Sequence, residues 1–300
     1  MLFQIEKSYI YTEIDIYYIN SYIQYIIELL KIIIIKHNLN INIILGNLNY
    51  GFNNNNKTLK MNVNWEHTLV KKNGRSVMPN CLQGKVLTNT GDPYLVRIER
   101  YEELINSDIV IDYSIPNIYN IYTSNQYNNL FNKLIYISPT LFEYNFLNYN
   151  TEERQINVLT TFINTNEPRR QKLLENIKLA NIDHKNINNC FGNDELKNLY
   201  LSTKILINIH QTDDHHTFEE LRVLPALLTG VIVISETSPV NKLIPYNDLI
   251  IWTSYNNIIE TINKVNNNYD YYYDKIFKSK DILSNLHKNN IEKIENKLFI

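Results

Sequence analysis

The sequence predicts an α/β protein built of two doubly wound domains, each carrying a parallel sheet, followed by C-terminal helices. Three observations lead there. Compact β-branched runs such as Asp108–Asp112 (DIVID) and Lys204–Ile209 (KILINI) suit central parallel strands that are buried on both faces. They alternate with segments whose apolar residues recur at helical spacing. The 300 residues, 44% of them hydrophobic, are enough for two ordinary domains.

The first clear element is a helix. Between Tyr17 and Lys36, Ile19, Ile23, Ile26, Leu30 and Ile33 recur at helical spacing while Asn20, Gln24, Glu28 and Lys31 recur on another side. This is an amphipathic core helix rather than an integral membrane segment. His37–Asn40 breaks the pattern, and Ile41–Leu45 is a short strand ending at Gly46. Residues 47–93, with NNNN at 53–56 and scattered Gly and Pro, predict loops with short strands of no assignable order. From Tyr94 the signal sharpens: YLVRIE alternates, Tyr101–Asn106 is a short helix, and Asp108–Asp112 and Lys133–Ile137 are strands. Ser138–Pro139 stops the last of these, and the polar run at 148–154 (NYNTEER) marks a domain boundary near 140–150.

The second half repeats the grammar. Strands are predicted at 157–163, 205–209, 231–235 and 249–252, with helices at 167–180, 194–202 and 218–228. The expected organisation is a Rossmann-like domain over 1–145, a second one over 146–265, and surface helices over 266–300, with the two sheets facing each other across a cleft.

Composition excludes several functions. A formal net charge of -2 without a basic cluster argues against a nucleic-acid partner. Cys81 and Cys190 are far apart, with no CxxC or Cys/His spacing around them, so neither a disulfide framework nor a zinc finger is expected. The start, MLFQIEKSYIYTE, has no apolar signal core, which predicts a cytoplasmic protein. No GxGxxG turn follows a strand, which argues against a nicotinamide-dependent enzyme.

Chemistry concentrates in Ile205–Ser238. There a strand runs into the polar loop HQTDDHHT, a helix follows, and Gly230 ends it before the next strand. Thr217 and Glu220 have capping-box spacing, which predicts a helix starting at Phe218 whose free amides form an anion site. Glu219 and Arg222 lie three apart on that helix, where Arg222 can hold a phosphate or pair with Glu219. His210, Asp213, Asp214, His215 and His216 include metal-ligand types, but one loop without i, i+4 spacing predicts no metal site. His210, directly after a strand, is the better candidate for a hydrogen bond to a ligand.

These runs also carry a resemblance. KILINIH at 204–210, Glu219-x-x-Arg222 and LLTGVIVISE at 227–236 resemble the nucleotide-sugar-binding half of GT-B fold, group 1-like glycosyltransferases. Asp112–Ser114 with Asn117 and Ile118, Lys133–Pro139, and NEPRR at 166–170 are similar to further segments of the same subgroup, so the resemblance covers about residues 94–253. It implies metal-independent transfer of a sugar, without a cofactor, from a nucleotide diphosphate sugar donor to a hydroxyl of a glycan, protein or small-molecule acceptor. The donor would be bound by Arg169, Arg170, Lys204, Asn208, His210, Thr217, Phe218, Glu219 and Arg222. His67, Glu99 and Asp112, on the acceptor side, are the catalytic candidates. Two departures stand out: Thr217 and Pro225 occupy the positions of a common Glu-x7-Glu pair, and the NEPRR loop contains no Gly. They keep a non-catalytic nucleotide- or sugar-binding relative as the alternative.

Overall fold

A computed structural model of the chain describes residues 1–12, 20–47, 49–65, 68–71, 82–124, 126–142, 154–163, 165–190, 192–277 and 281–299, apart from 88–92. They form two compact units, Met1–Pro139 with Leu286–Ile300, and Thr140–Asn285. Both are α/β with parallel sheets, as the sequence predicts.

In the first unit the elements run β1 (Leu2–Ile5), β2 (Ser8–Thr12), α1 (Asn20–His37), β3 (Ile41–Leu45), β4 (Lys57–Asn64), β5 (Leu69–Lys71), β6 (Leu82–Leu87), β7 (Pro93–Ile98), α2 (Tyr101–Ile105), β8 (Ile109–Asp112), α3 (Ile115–Ser124), α4 (Asn128–Phe131) and β9 (Leu134–Tyr136). The main sheet has the order β1-β2-β3-β4-β8-β9, and every pair from β2 to β9 is parallel. Helix α1 buries Ile26, Leu29, Leu30 and Ile33. It ends where Asn38 turns left-handed, so that the amides of Asn38 and Leu39 reach back to the carbonyls of Ile35 and Ile34. Asn tolerates that conformation better than a branched residue does.

Over 47–93, where loops with short strands of no assignable order are expected, β4 is longer than expected, at eight residues. Its first half, KTLK, is mostly exposed and its second half, MNVN, is buried, with Asn62 and Asn64 inside. Polar residues on a buried strand hide it from a search for apolar runs. The alternating run YLVRIE is the middle strand of a small antiparallel sheet, β5-β7-β6, rather than part of the parallel one. Leu69, Val96 and Ile98 join Leu104, Val110, Ile121, Leu130 and Leu134 in one core beneath it.

The second unit runs β10 (Ile156–Thr160), α5 (Pro168–Leu179), β11 (His184–Asn186), α6 (Asn193–Leu201), β12 (Thr203–Asn208), α7 (Glu220–Leu228), β13 (Ile232–Glu236), β14 (Ile250–Thr253), α8 (Ile258–Asn266) and α9 (Tyr269–Phe277). Its sheet is parallel throughout, in the order β11-β10-β12-β13-β14. Gly230 closes α7 with φ 76°, and the amides of Gly230 and Val231 reach the carbonyls of Leu227 and Ala226. This close needs a left-handed residue, which explains the glycine.

The last helix, α10 (Asp281–Leu298), carries the chain back to the first unit. There the buried Asn290 amide accepts from the Ser138 amide at 3.0 Å and donates to the Ser138 carbonyl at 2.8 Å. Among the described residues no helix is long and apolar enough to cross a membrane.

Candidate functional site

Strand order locates the crevice in the second unit. The chain leaves β10 to one side for β11 and returns to its other side for β12, so the connections diverge at the carboxyl ends of β10 and β12. Such a switch point is where open α/β sheets bind ligands. In the main sheet of the first unit β2, β3, β4, β8 and β9 add in one direction, which provides no such divergence.

Side chains from four elements meet at the switch point. Helix α5 opens with Pro168 at its first position, followed by Arg169 and Arg170 in the first turn. Pro is well suited there because its missing N–H would lack a helical partner anyway. Two cations at a helix N-terminus oppose the helix dipole, so each needs compensation from elsewhere.

Arg169 has it. Its guanidinium grips Glu236 of β13 in a bidentate pair, both contacts at 2.5 Å, and donates to Asp213 at 2.6 Å. It lies 4.0 Å from the centroid of the Tyr255 ring, whose hydroxyl donates to the Arg169 carbonyl at 2.6 Å. Burial works against its charge, but Glu236 and Asp213 outweigh burial and hold the guanidinium even more firmly protonated than usual. Burial likewise would raise the Glu236 carboxyl, yet Arg169 and His210 keep it below the ordinary carboxylate range.

Arg170 does not. Only 6% exposed, it lies 4.9 Å from the centroid of the Phe162 ring, and among the described residues its guanidinium has no hydrogen-bond or ion-pair partner. Burial first, and then the neighbouring Arg222 charge, pull it down to about 10, against smaller help from Glu219 and Glu167. Arg222 itself donates to Asn208 at 3.0 Å, and Asn208, buried at the end of β12, donates to Ser235 at 3.0 Å. Arg170, Asn208, Glu219 and Arg222 are therefore neighbours, and Arg169, next to Arg170 in the chain, belongs with Glu236, Asp213 and His210.

His210 follows β12. Its backbone amide donates to Glu236 at 3.0 Å, its Nε2 meets the Thr237 carbonyl at 3.2 Å, and its ring stacks on His216 at 5.1 Å. Burial above all holds its pKa down to about 4, so the imidazole is neutral at pH 7. The two rings lie face to face instead of converging through their nitrogens.

The start of α7 corrects the capping-box expectation. The helix begins at Glu220, two residues late, and Thr217 makes no capping bond. The Thr217 hydroxyl is buried without a partner among the described residues. Glu220 is fully buried and accepts from the Tyr246 hydroxyl at 2.6 Å, while Phe218 is core, packed on Trp252 at 5.0 Å. Carboxylates at the N-cap and at the first helical position leave this helix end poorly suited to an anion. Phe218 is thus a packing residue. Lys204 sits at the opposite end of β12, roughly 13 Å along the strand from Asn208, close to the Tyr269 ring at 5.5 Å.

In the first unit, Asp112 ends β8 fully buried, accepting from Asn64 at 2.7 Å, the Ser114 amide at 2.7 Å and Asn117 at 3.4 Å. That arrangement makes it an organiser of the following loop. Glu99 pairs with Arg97 at 3.3 Å. His67 lies outside the described residues.

Sequence reasoning missed Glu236 and Tyr255 as site residues and took Asp213 only as a metal-ligand type. Glu236 left a signal: it is the single charge at the carboxyl end of a mostly apolar strand, VIVISE.

Comparison with known proteins gives limited overlap. Over 102 residues the chain is 31% identical to an uncharacterized protein of Acanthamoeba polyphaga mimivirus, a match spanning 32% of this chain and 36% of that protein. No protein-family model matches. Among solved structures it is similar to TarM (TM-score 0.49, 13% identity, 86% of this chain and 54% of that one). It is also similar to the sucrose-phosphate synthase of Thermosynechococcus elongatus (TM-score 0.41, 12% identity, 89% and 73%) and to the wall teichoic acid polymerase TagF (TM-score 0.35, 11% identity, 86% and 72%). The chain thus spans about a third of its viral relative and about half of TarM.

Proposed function

We propose that the second unit binds a nucleotide diphosphate sugar and that the protein transfers the sugar to an acceptor hydroxyl. One observation carries this reading: the guanidinium of Arg170, buried at the switch point beside Arg222, has no acceptor among the described residues. A buried cation that Glu219 and Glu167 help only from a distance is costly, and a ligand diphosphate supplies a paired acceptor. The motifs at 204–236, which resemble the donor half of GT-B glycosyltransferases, support the same ligand.

The chemistry follows from charge. As the glycosidic carbon separates from the diphosphate, negative charge builds on the leaving oxygen. Arg170 and Arg222, fixed by Phe162 and Asn208, stabilise it without reorganising. Arg169, already neutralised by Glu236 and Asp213, serves as framework. The first unit is assigned the acceptor, and the side chains are assigned the charge relief that a divalent metal gives elsewhere, so EDTA should not reduce turnover.

The test is a thermal-shift and calorimetric titration with UDP, GDP and dTDP, followed by measurement of nucleotide release from their sugar conjugates with and without acceptors. A ligand at 100 times its Kd should stabilise by about 2.7 kcal/mol. Binding with turnover supports a transferase; binding without turnover restricts the protein to a nucleotide- or sugar-binding role; no binding by any of the three removes the proposal.

A further inference from the structure

His210 has a fixed hydrogen-bonding polarity. A carbonyl oxygen can only accept, so the 3.2 Å contact between Nε2 and the Thr237 carbonyl puts the ring proton on Nε2. In the neutral ring Nδ1 is then a bare acceptor, and among the described residues nothing donates to it. The residue is held at three points. Glu236 takes the His210 amide at 3.0 Å, Thr237 takes Nε2, and His216 stacks on its face with the planes 19° apart. The same Glu236 carboxylate is gripped by Arg169 of α5, so one acid ties the loops after β10, β12 and β13 together.

We propose that Nδ1 of His210 accepts a hydrogen bond from a hydroxyl of the donor ligand, and that Glu236 acts as a positioning residue that sets His210 for this contact. The inference rests on the nucleotide diphosphate sugar reading and divides the labour within it. Arg170 and Arg222 are donors and read the anion. His210, two residues beyond the Asn208 that receives Arg222, offers the opposite polarity, an acceptor that repels phosphate oxygen and selects O–H. The hydroxyl belongs either to the ribose or to the transferred sugar, and the experiment separates the two.

Two measurements test it. The first needs no variant: nitrogen-15 NMR of the imidazoles in the ligand-free protein at pH 7 should find His210 Nε2 protonated and Nδ1 bare, with the Nδ1 resonance moving on ligand addition. A proton on Nδ1 overturns the inference. The second compares the affinities of wild type, His210→Phe, His210→Gln and Glu236→Gln for UDP, GDP, dTDP and their glucose conjugates. Phe keeps the ring and loses the acceptor, so binding should weaken about tenfold, with part of the loss restored by Gln. A loss confined to the glucose conjugate places the hydroxyl on the sugar; an equal loss with the free nucleotide places it on the ribose. Glu236→Gln should weaken the same ligand, and its effect should not add to that of His210→Phe, because the two act through one contact. If wild type binds the nucleotides and His210→Phe binds every ligand equally well, this inference fails and the transferase reading stands. If wild type binds none, both fail.

Discussion

Arg170→Met is expected to make the second unit more stable while abolishing nucleotide binding. Removal of a buried side chain usually destabilises, so the opposite sign is diagnostic. The guanidinium is held down to about 10, well below its ordinary value. At roughly 1.4 kcal/mol per pH unit, that difference costs the folded state about 3 kcal/mol. The sign follows from protonation: at pH 7 the group is charged in both states, so the folded state bears the whole penalty, and relief begins only as pH rises through 10. Against this, the cation–π contact with Phe162 at 4.9 Å is lost, worth about 1–2 kcal/mol when desolvated. Met refills most of the space of the aliphatic stem. The net gain is about 1–2 kcal/mol, or roughly 3–8 °C in melting temperature for a unit of this size. Differential scanning fluorimetry at pH 7.5, with and without UDP, GDP and dTDP, reads both halves of the expectation. A melting temperature several degrees below wild type would refute the reasoning, because it would mean that the folded protein already satisfies Arg170, and the anion site would lose its basis.

Three further outcomes are expected. Thr217→Val should raise stability by about 1 kcal/mol in urea unfolding, since it removes a buried hydroxyl without a partner; a capping threonine would instead lose about 1 kcal/mol. His210, near 4 when folded and 6.5 when unfolded, is neutral in the fold while the open chain takes up a proton, so stability should fall as pH drops from 6.5 to 4 by up to about 3 kcal/mol. Glu236, held below its ordinary value, begins to lose its contribution only near pH 4.5, at the foot of this window and in both proteins, so urea midpoints between pH 6.5 and 4 that fall no faster in wild type than in His210→Gln would defeat this assignment. Asp112→Ala should destabilise the first unit by about 2–4 kcal/mol, because the Asn64, Ser114 and Asn117 donors lose a buried acceptor; full stability with loss of transfer would make Asp112 catalytic instead.

How much of this was legible in the sequence depended on which force writes the pattern. The strands the sequence located in the second unit, from Ile156–Thr160 to Ile250–Thr253, are rich in apolar and β-branched residues; β10, β12 and β13 are so because both faces of a central parallel strand are buried, while β14 at the edge is apolar without being fully covered. Strand β4 escaped because Asn62 and Asn64 stand where apolar residues are expected, and the short edge strand His184–Asn186 is polar throughout. At the site, Arg169, Arg170, Asn208, His210 and Arg222 were legible from position after a strand and from motif. The pairing among them was not, since Arg169 and Glu236 are 67 residues apart and only the sheet brings them together. The capping box failed for a related reason: Thr217 and Glu220 have the right spacing, but Tyr246 competes for the Glu220 carboxylate.

The two arginines of α5 are adjacent in sequence and opposite in circumstance, and this contrast is the physical core of the functional reading. Both sit where the helix dipole disfavours positive charge. A fold selected only for stability would neutralise both or use neither, and Glu236 with Asp213 shows that this scaffold can neutralise one completely. Arg170 is left buried against Phe162, beside Arg222, still charged at pH 7 but at a cost, with no hydrogen-bond acceptor among the described residues. Uncompensated charge of this kind is retained where something outside the chain compensates it. In the proposed reading that ligand enters where the connections of β10 and β12 diverge, and His210, two residues beyond the Asn208 that holds Arg222, reads a hydroxyl of it.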